Sequence, residues 1–421
     1  MKGNNNNWKR ISSEELQAFL GITIAMGIVK PPEIENYWRK DGICNITWFA
    51  SIMSSKRYKD ILRFLHLTDN EKAPERDSPE FKLYKLGGLH NTLNKSFNSA
   101  YSPSKELSVD EQMVGTRCRV SFIQYMPKKP TKFGIKIWVL ADASTGYCLQ
   151  YQIYTGKVNN TQERGLTYRV VTELLSPYLN RNHNVFFDNF FTTIPLIEYL
   201  ATNGTFCCGT IRSDRGKFPQ AFLKAVLEKG QSVFVRKNNL LAVHWKDKRD
   251  VYVVSSIHGN EIEEVQRRGE KELTNKPRMI NQYNCFMNGV DKCDQMLASY
   301  SIQRKTTKWW KKLFFQMVEL SIINSMVLYD ALFPDSIPKR CKHRIFRTTL
   351  VHQLGFEENI SHQAAIQKGN VARSADTNVM QKESRSGKKL PTSVKSVKNS
   401  YVRSVLKRFI VKAIQKSDFW K

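Results

Sequence analysis

Two short apolar runs in this chain end on an aspartate, and nothing else in the sequence limits the choice of fold as much. Leu107-Ser108-Val109 reads as a strand and delivers Asp110, with Glu111 directly after it. Asn184 to Phe191 (NVFFDNFF) is a short buried-strand run that delivers Asp188 at its carboxyl end. A third acidic stretch, Asn288 to Met296 (NGVDKCDQM), opens a helix carrying Asp291 and Asp294. These two are three residues apart and share a helical face.

Between the first two acids lies a basic, aromatic-flanked segment, Gln124 to Lys132, containing Lys128, Lys129 and Lys132. Two strand runs follow, Ile135 to Ala141 and Tyr147 to Tyr154, flanking a Ser144-Thr145-Gly146 turn in which Asp142 fits as a turn residue. An acid at a sheet edge beside phosphate-holding lysines suits a metal-dependent nucleic-acid enzyme. Taken singly, each acid has a plainer explanation. Asp110 fits a turn at a strand end, Asp188 an Asx-turn before Asn189, and Asp291 a helix cap.

Taken together they have a known order. Strand-end acid, strand-end acid, helix acid is the carboxylate order of ribonuclease H-like polynucleotidyl transferases. The wording of the three stretches resembles the piggyBac family of DDE/DDD transposases, from about Ser13 to Leu332. The resemblance implies that Asp110, Asp188 and Asp291 are the catalytic triad and Asp294 an accessory acid. All four would hold Mg²⁺, with Mn²⁺ able to substitute. Two such ions about 3.5–4 Å apart stabilise both the attacking and the leaving oxygen. Glu111 is assigned to a supporting or surface position. Arg304, Lys305 and Trp309 match family positions that touch DNA, although Trp309 equally suits a core shared with Trp310. Lys128, Lys129 and Lys132 are exposed-face lysines or phosphate contacts.

The implied fold is mixed α/β: a ribonuclease H-like core with a β-rich insertion, plus a split helical dimerisation and DNA-binding domain. Residues 1–104 are expected to form the first helical half. Ser12-Ser13-Glu14-Glu15 opens a helix with Leu16, Phe19, Leu20 and Ile24 on one face, and Pro31-Pro32 ends it. The core is expected over 105–213, with a helix near Gln162 to Leu179, and its closing helix over 278–300. The insertion occupies 214–277, where strands are expected at Ser232 to Arg236, Leu240 to Trp245 and Val251 to Ile257. The second helical half is expected over 301–345, with a long helix running to about Leu332. A basic tail, 346–421, completes the chain. From Ser361 to Lys421 it has 14 Lys/Arg against 3 Asp/Glu, and Tyr401 to Ile414 is expected as a basic helix.

With 421 residues, 41% apolar and 11% aromatic, the composition is that of a globular protein of two or three units. A formal charge of +28 favours a polyanionic partner and salt-sensitive binding. The resemblance implies double-stranded DNA (transposon ends and TTAA targets) and a second copy of the chain as partners. No small-molecule substrate is expected, and the expected location is the nucleus. Leu16 to Val29 is too short to span a membrane, and Leu313 to Phe333 is interrupted by polar residues. The eight cysteines include no CxxC pair, and Cys341, His343 and His352 lack zinc-ligand spacing, so no zinc is expected. No cysteine follows Cys341, so the family's cysteine-rich, end-binding terminal domain is expected to be absent. Two rivals follow from the same residues: a domesticated, catalytically silent DNA-binding protein, and a chromatin or RNA-binding protein using only its basic surface.

Overall fold

The computed structural model describes residues 8–156, 165–215, 217–266 and 273–355. Four helices come first: α1 (Ser13–Ile28), α2 (Thr47–Ile52), α3 (Ser55–Phe64) and α4 (Leu89–Ala100). The chain then forms β1 (Glu106–Gly115), β2 (Ile123–Tyr125), β3 (Phe133–Asp142) and β4 (Cys148–Ile153). Helices alternate with strands next, in α5 (Leu166–Leu175), β5 (Asn184–Phe187), α6 (Ile194–Thr202) and β6 (Phe206–Thr210). After the short α7 (Gln220–Leu223) come β7 (Ser232–Lys237), β8 (Leu240–Lys246), β9 (Asp250–Ser255), β10 (Ile262–Gln266) and β11 (Leu273–Pro277). The last helices are α8 (Arg278–Phe286), α9 (Gly289–Ser299), α10 (Trp309–Leu332) and α11 (Lys342–Gly355).

The chain divides into two compact units. Among the described residues, one takes those of 8–93, 299–304 and 314–355, and the other takes those of 94–298 and 305–313.

The second unit is built on one mixed sheet in the order β2-β3-β1-β5-β6-β9-β8-β7, with β4 also on β3. β1 lies inside it, antiparallel to β3 and parallel to β5. Parallel neighbours need helical crossovers, and α5 and α6 supply them before β5 and β6. β5 is buried along its whole length, and Phe186 and Phe187 are fully buried. Each such ring contributes about 1.5–3 kcal/mol of burial. The three strand runs expected in the insertion are all present. Their alternation pattern does not reveal where they pair: β9 docks antiparallel on β6, so β7 to β9 continue the core sheet, while β10 and β11 pair only with each other.

The β3–β4 corner is tied down by Asp142, which is fully buried. Its Oδ1 accepts from the Ser144 and Thr145 backbone N–H groups at 2.9 Å each, and its Oδ2 accepts from Ser104 N at 2.7 Å. The turn role expected of Asp142 is thus combined with anchoring the entry to β1.

In the first unit, Ser12 caps α1 by accepting from Glu15 N at 3.1 Å. The Glu15 carboxylate does not reach back to complete a capping box; it pairs with the Arg57 guanidinium, Oε1 to Nε at 2.5 Å. One buried face is expected for α1, yet every residue from Phe19 to Gly27 is buried. Small residues explain this. A Cβ on Gly21 would stand 3.2 Å from Leu354 Cβ, and one on Gly27 would stand 2.4 Å from Tyr300 O, so neighbours close in on several sides. The unit also buries an ion pair, Arg347 Nη2 to Glu319 Oε2 at 2.5 Å, both side chains almost fully enclosed. Glu319 Oε1 accepts from Ile302 N at 2.7 Å, and Arg347 Nη1 donates to Tyr300 O at 3.0 Å. Together these pin residues 300–302 to α10 and α11.

Among the described residues Cys118, Cys148, Cys207, Cys208 and Cys293 are buried thiols, whereas Cys285 is exposed. No described helix is long and apolar enough to cross a membrane. The basic tail from Ser361 and its expected helix at Tyr401 to Ile414 lie outside the described residues.

Candidate active site

The register of β1 against β5 places the first two acids. Val109 is paired with Phe187, so Asp110 and Asp188 are the next residues on neighbouring parallel strands. Such strands lie about 4.8 Å apart, and residues in register point to the same face. Asp110 is nearly buried and accepts at Oδ1 from Glu111 N at 2.8 Å. Asp188 accepts at Oδ1 from Phe190 N at 2.9 Å, which is the Asx-turn expected of it.

The helix acids arrive on α9, which comes very close to the same strand. A Cβ on Gly289 would lie 2.3 Å from Ser108 Oγ and 2.9 Å from Ala143 Cα, so only glycine allows this approach. Four residues along β1 from Ser108, on the same face, Gln112 Nε2 donates to Asp294 Oδ1 at 2.5 Å. Asp110 lies midway between these two contacts on that face. Lys292 Nζ donates to Ala143 O at 2.6 Å and fixes the start of the helix on the β3–β4 corner. Asp291, in the first turn of α9, is exposed and favourably placed for the helix dipole.

The electrostatics set these acids apart. Burial raises Asp110 well above the ordinary carboxylate range; Glu111 and Asp188 add to the rise, against the pull of Lys129. Burial also raises Asp188, with Glu111 adding and Lys136 and backbone N–H groups opposing. Burial lifts Asp294 to about 6 despite the Gln112 hydrogen bond and Lys129, with Asp291 adding to the rise. Lys129 answers the same charges. Burial works against its ammonium, but Asp110, Glu111 and Asp294 outweigh it and the shift is upward. Its Nζ lies 3.4 Å from Glu111 Oε1. Lys136 moves the other way, lowered by burial despite Glu111, Asp110 and Asp188.

The remaining expected residues are more scattered. Lys128 and Lys132 are exposed on the β2–β3 hairpin, and Lys305 is exposed before α10. Trp309 is half-buried with its ring 5.3 Å from Phe122, edge to face, whereas Trp310 is buried. Arg304 belongs to the helical unit, where its guanidinium donates to Tyr37 Oη at 3.0 Å and covers that ring. Sequence reasoning left out Gln112, Lys136 and Gly289. Only Gly289 had a visible signal, the Asn-Gly pair that precedes the helix acids.

Among the described residues no three carboxylate, imidazole or thiolate groups converge tightly enough to hold a metal ion unaided. The donor set nevertheless fits a hard divalent cation. Mg²⁺ takes oxygen ligands, commonly one or two carboxylates completed by water and substrate phosphate. Two neighbouring carboxylates stay raised by burial and by other acids despite Lys129 and Lys136, and such an ion would add the positive charge that offsets this.

The Transposase IS4 family model matches residues 1–326. The human PiggyBac transposable element-derived protein 3 is 29% identical over 333 residues, covering 76% of this chain and 55% of that protein. The human PiggyBac transposable element-derived protein 5 is 22% identical over 374 residues, covering 85% and 70% respectively. The chain thus spans about half the length of the first of these relatives. The cryo-EM structure of a piggyBac transposase synaptic complex with hairpin DNA superposes with a TM-score of 0.75 at 24% identity, covering 91% of this chain and 81% of that one. That likeness establishes the fold, and the expected mixed α/β, ribonuclease H-like class stands.

Proposed function

Because this chain belongs to the Transposase IS4 family, we propose that it cuts and joins DNA strands at TTAA sites by two-metal-ion phosphoryl transfer, as a nuclear homodimer acting on transposon ends. The observation that carries the proposal is that Asp110 and Asp188 each follow directly on the paired Val109 and Phe187, with Asp294 tied to β1 through Gln112. Asp110 and Asp188 would hold Mg²⁺, or Mn²⁺ in its place, and Asp291 and Asp294 would add ligands from α9. The bound ions supply charge stabilisation at the attacking and leaving oxygens.

The chain's own groups do the positioning. Gln112 orients Asp294, and supporting hydrogen bonds of this kind tune metal affinity. Lys129, paired with Glu111 beside the acids, neutralises phosphate at the site. Lys128, Lys132, Arg304 and Lys305 contact the backbone, and the half-buried Trp309 offers one edge of its indole to an opened base.

The test is joining of a 3′-hydroxyl oligonucleotide into a supercoiled, TTAA-rich plasmid with Mg²⁺ or Mn²⁺. Joining at TTAA by wild type and not by Asp188→Asn supports the proposal. Equal activity of the two proteins sinks it.

A second reading, a transposase-derived protein that binds DNA without cutting it, is favoured by the lack of three converged ligands among the described residues. It predicts DNA binding by both proteins and joining by neither, even when matched terminal sequences are supplied.

A further inference from the structure

Two large aromatic side chains lie open to solvent on the sheet that carries the acids. Tyr125 is 59% exposed and Phe133 41% exposed. They are cross-strand partners of β2 and β3, with ring centroids 4.6 Å apart. The Arg117 guanidinium lies 5.2 Å from the Phe133 ring centre. The hairpin that presents them is closed by Met126 N donating to Lys132 O at 2.8 Å, and the same loop directs Lys129 onto Glu111.

Val139 pairs with Asp110, and Phe133 lies six residues along β3 on the same face, with the buried Ile135 and Ile137 between them. At about 3.4 Å per residue the rings are about 20 Å along the strand from Asp110. That equals about six stacked nucleotides. The surroundings carry one sign of charge: from Gln112 to Ala141 there are six Lys/Arg and no Asp/Glu. Arg117, Arg119, Lys128 and Lys132 are all exposed. An apolar pair intended for a protein partner has no need of that field. Aromatic faces beside guanidinium and ammonium groups are what unpaired nucleotides require, with bases on the rings and phosphates on the cations.

We propose that Tyr125, Phe133 and Arg117 form a stacking platform for single-stranded DNA on the same sheet as the acidic site. This rests on the DNA-processing function proposed above. The platform gives the chain a preference for DNA with an unpaired end over blunt duplex, which basic residues alone do not provide.

The test is binding of the full chain, without divalent metal, to a blunt duplex and to the same duplex with a single-stranded extension of about six nucleotides. Wild type binds the extended DNA more tightly. Tyr125→Ala/Phe133→Ala loses that preference, roughly tenfold per ring, and keeps its affinity for the blunt duplex. The aromatic exchange Tyr125→Phe/Phe133→Tyr retains the preference. Both side chains are exposed, and matching melting temperatures verify that the variants fold. Equal binding of the two DNAs by wild type, or equal weakening for both DNAs in the alanine variant, overturns the platform while leaving the DNA-processing reading intact. Wild type that binds neither DNA overturns that reading itself.

Discussion

Gln112 donates from Nε2 to Asp294 Oδ1 at 2.5 Å, joining the strand of the first acid to the helix of the last two. A hydrogen bond to a charged acceptor contributes about 1.5–3 kcal/mol, and this one also fixes which way the Asp294 carboxylate faces. Gln112→Ala is expected to reduce metal affinity by about 10–100-fold, read as a higher Mn²⁺ concentration for half-maximal joining or for half-maximal thermal stabilisation. An unchanged metal midpoint would show that Asp294 needs no such partner.

Gly289 is the contact that lets α9 reach the sheet. A Cβ there meets Ser108 Oγ, Ala143 Cα and Asp142 O, two of them backbone atoms that cannot swing aside. Gly289→Ala is expected to destabilise the chain by about 1–3 kcal/mol through overpacking and to shift Asp291 and Asp294 away from Asp110. Ser108→Ala in the same chain relieves only one of the three collisions, so it should restore little. Full rescue by Ser108→Ala would mean that the helix accommodates the methyl group by a small slide.

How much of this was legible beforehand depends on sequence distance. The runs ending at Asp110 and Asp188 mark themselves as strands, because apolar alternation followed by an acid is a local pattern. The cap at Ser12 and the long α10 are local too. The roles of Gln112 and Gly289 are fixed by partners 182 and 181 residues away, Asp294 and Ser108, and no local pattern encodes such pairings. The burial of every α1 residue from Phe19 to Gly27 was hidden for the same reason, since Gly21 and Gly27 meet Leu354 and Tyr300. The docking of β9 on β6 was hidden as well: alternation identifies a strand but not its neighbour.

Arg347 and Glu319 form a pair whose parts should be worth less than the whole. Both side chains are almost fully enclosed, and the remaining hydrogen bonds of each go to the backbone of 300–302 or to His343. Arg347→Met leaves a buried, unpaired carboxylate and is expected to cost about 3–5 kcal/mol in chemical denaturation. Arg347→Met/Glu319→Met removes both charges and should be markedly more stable than Arg347→Met alone. If the double variant is the less stable of the two, the ion pair is not what Arg347 contributes.

His343 provides a test by pH. Its Nε2 accepts from Arg347 Nε at 2.7 Å, its ring stands edge-on to Tyr300, and burial together with the Arg347 charge lowers it to about 4. The folded protein therefore keeps the ring neutral where the unfolded chain, near 6.5, already takes up a proton. The stabilisation is complete above about pH 6.5 and is lost as the pH falls towards 4. Protonation also turns the acceptor into a donor facing a guanidinium. Partial exposure reduces the effect to about 1–2 kcal/mol. Other acids titrate in the same range, so the informative quantity is the difference between wild type and His343→Gln, which can still accept from Arg347 but carries no titrating group. Wild type should lose stability relative to His343→Gln as the pH drops from 7 towards about 4. Parallel curves would place the proton elsewhere.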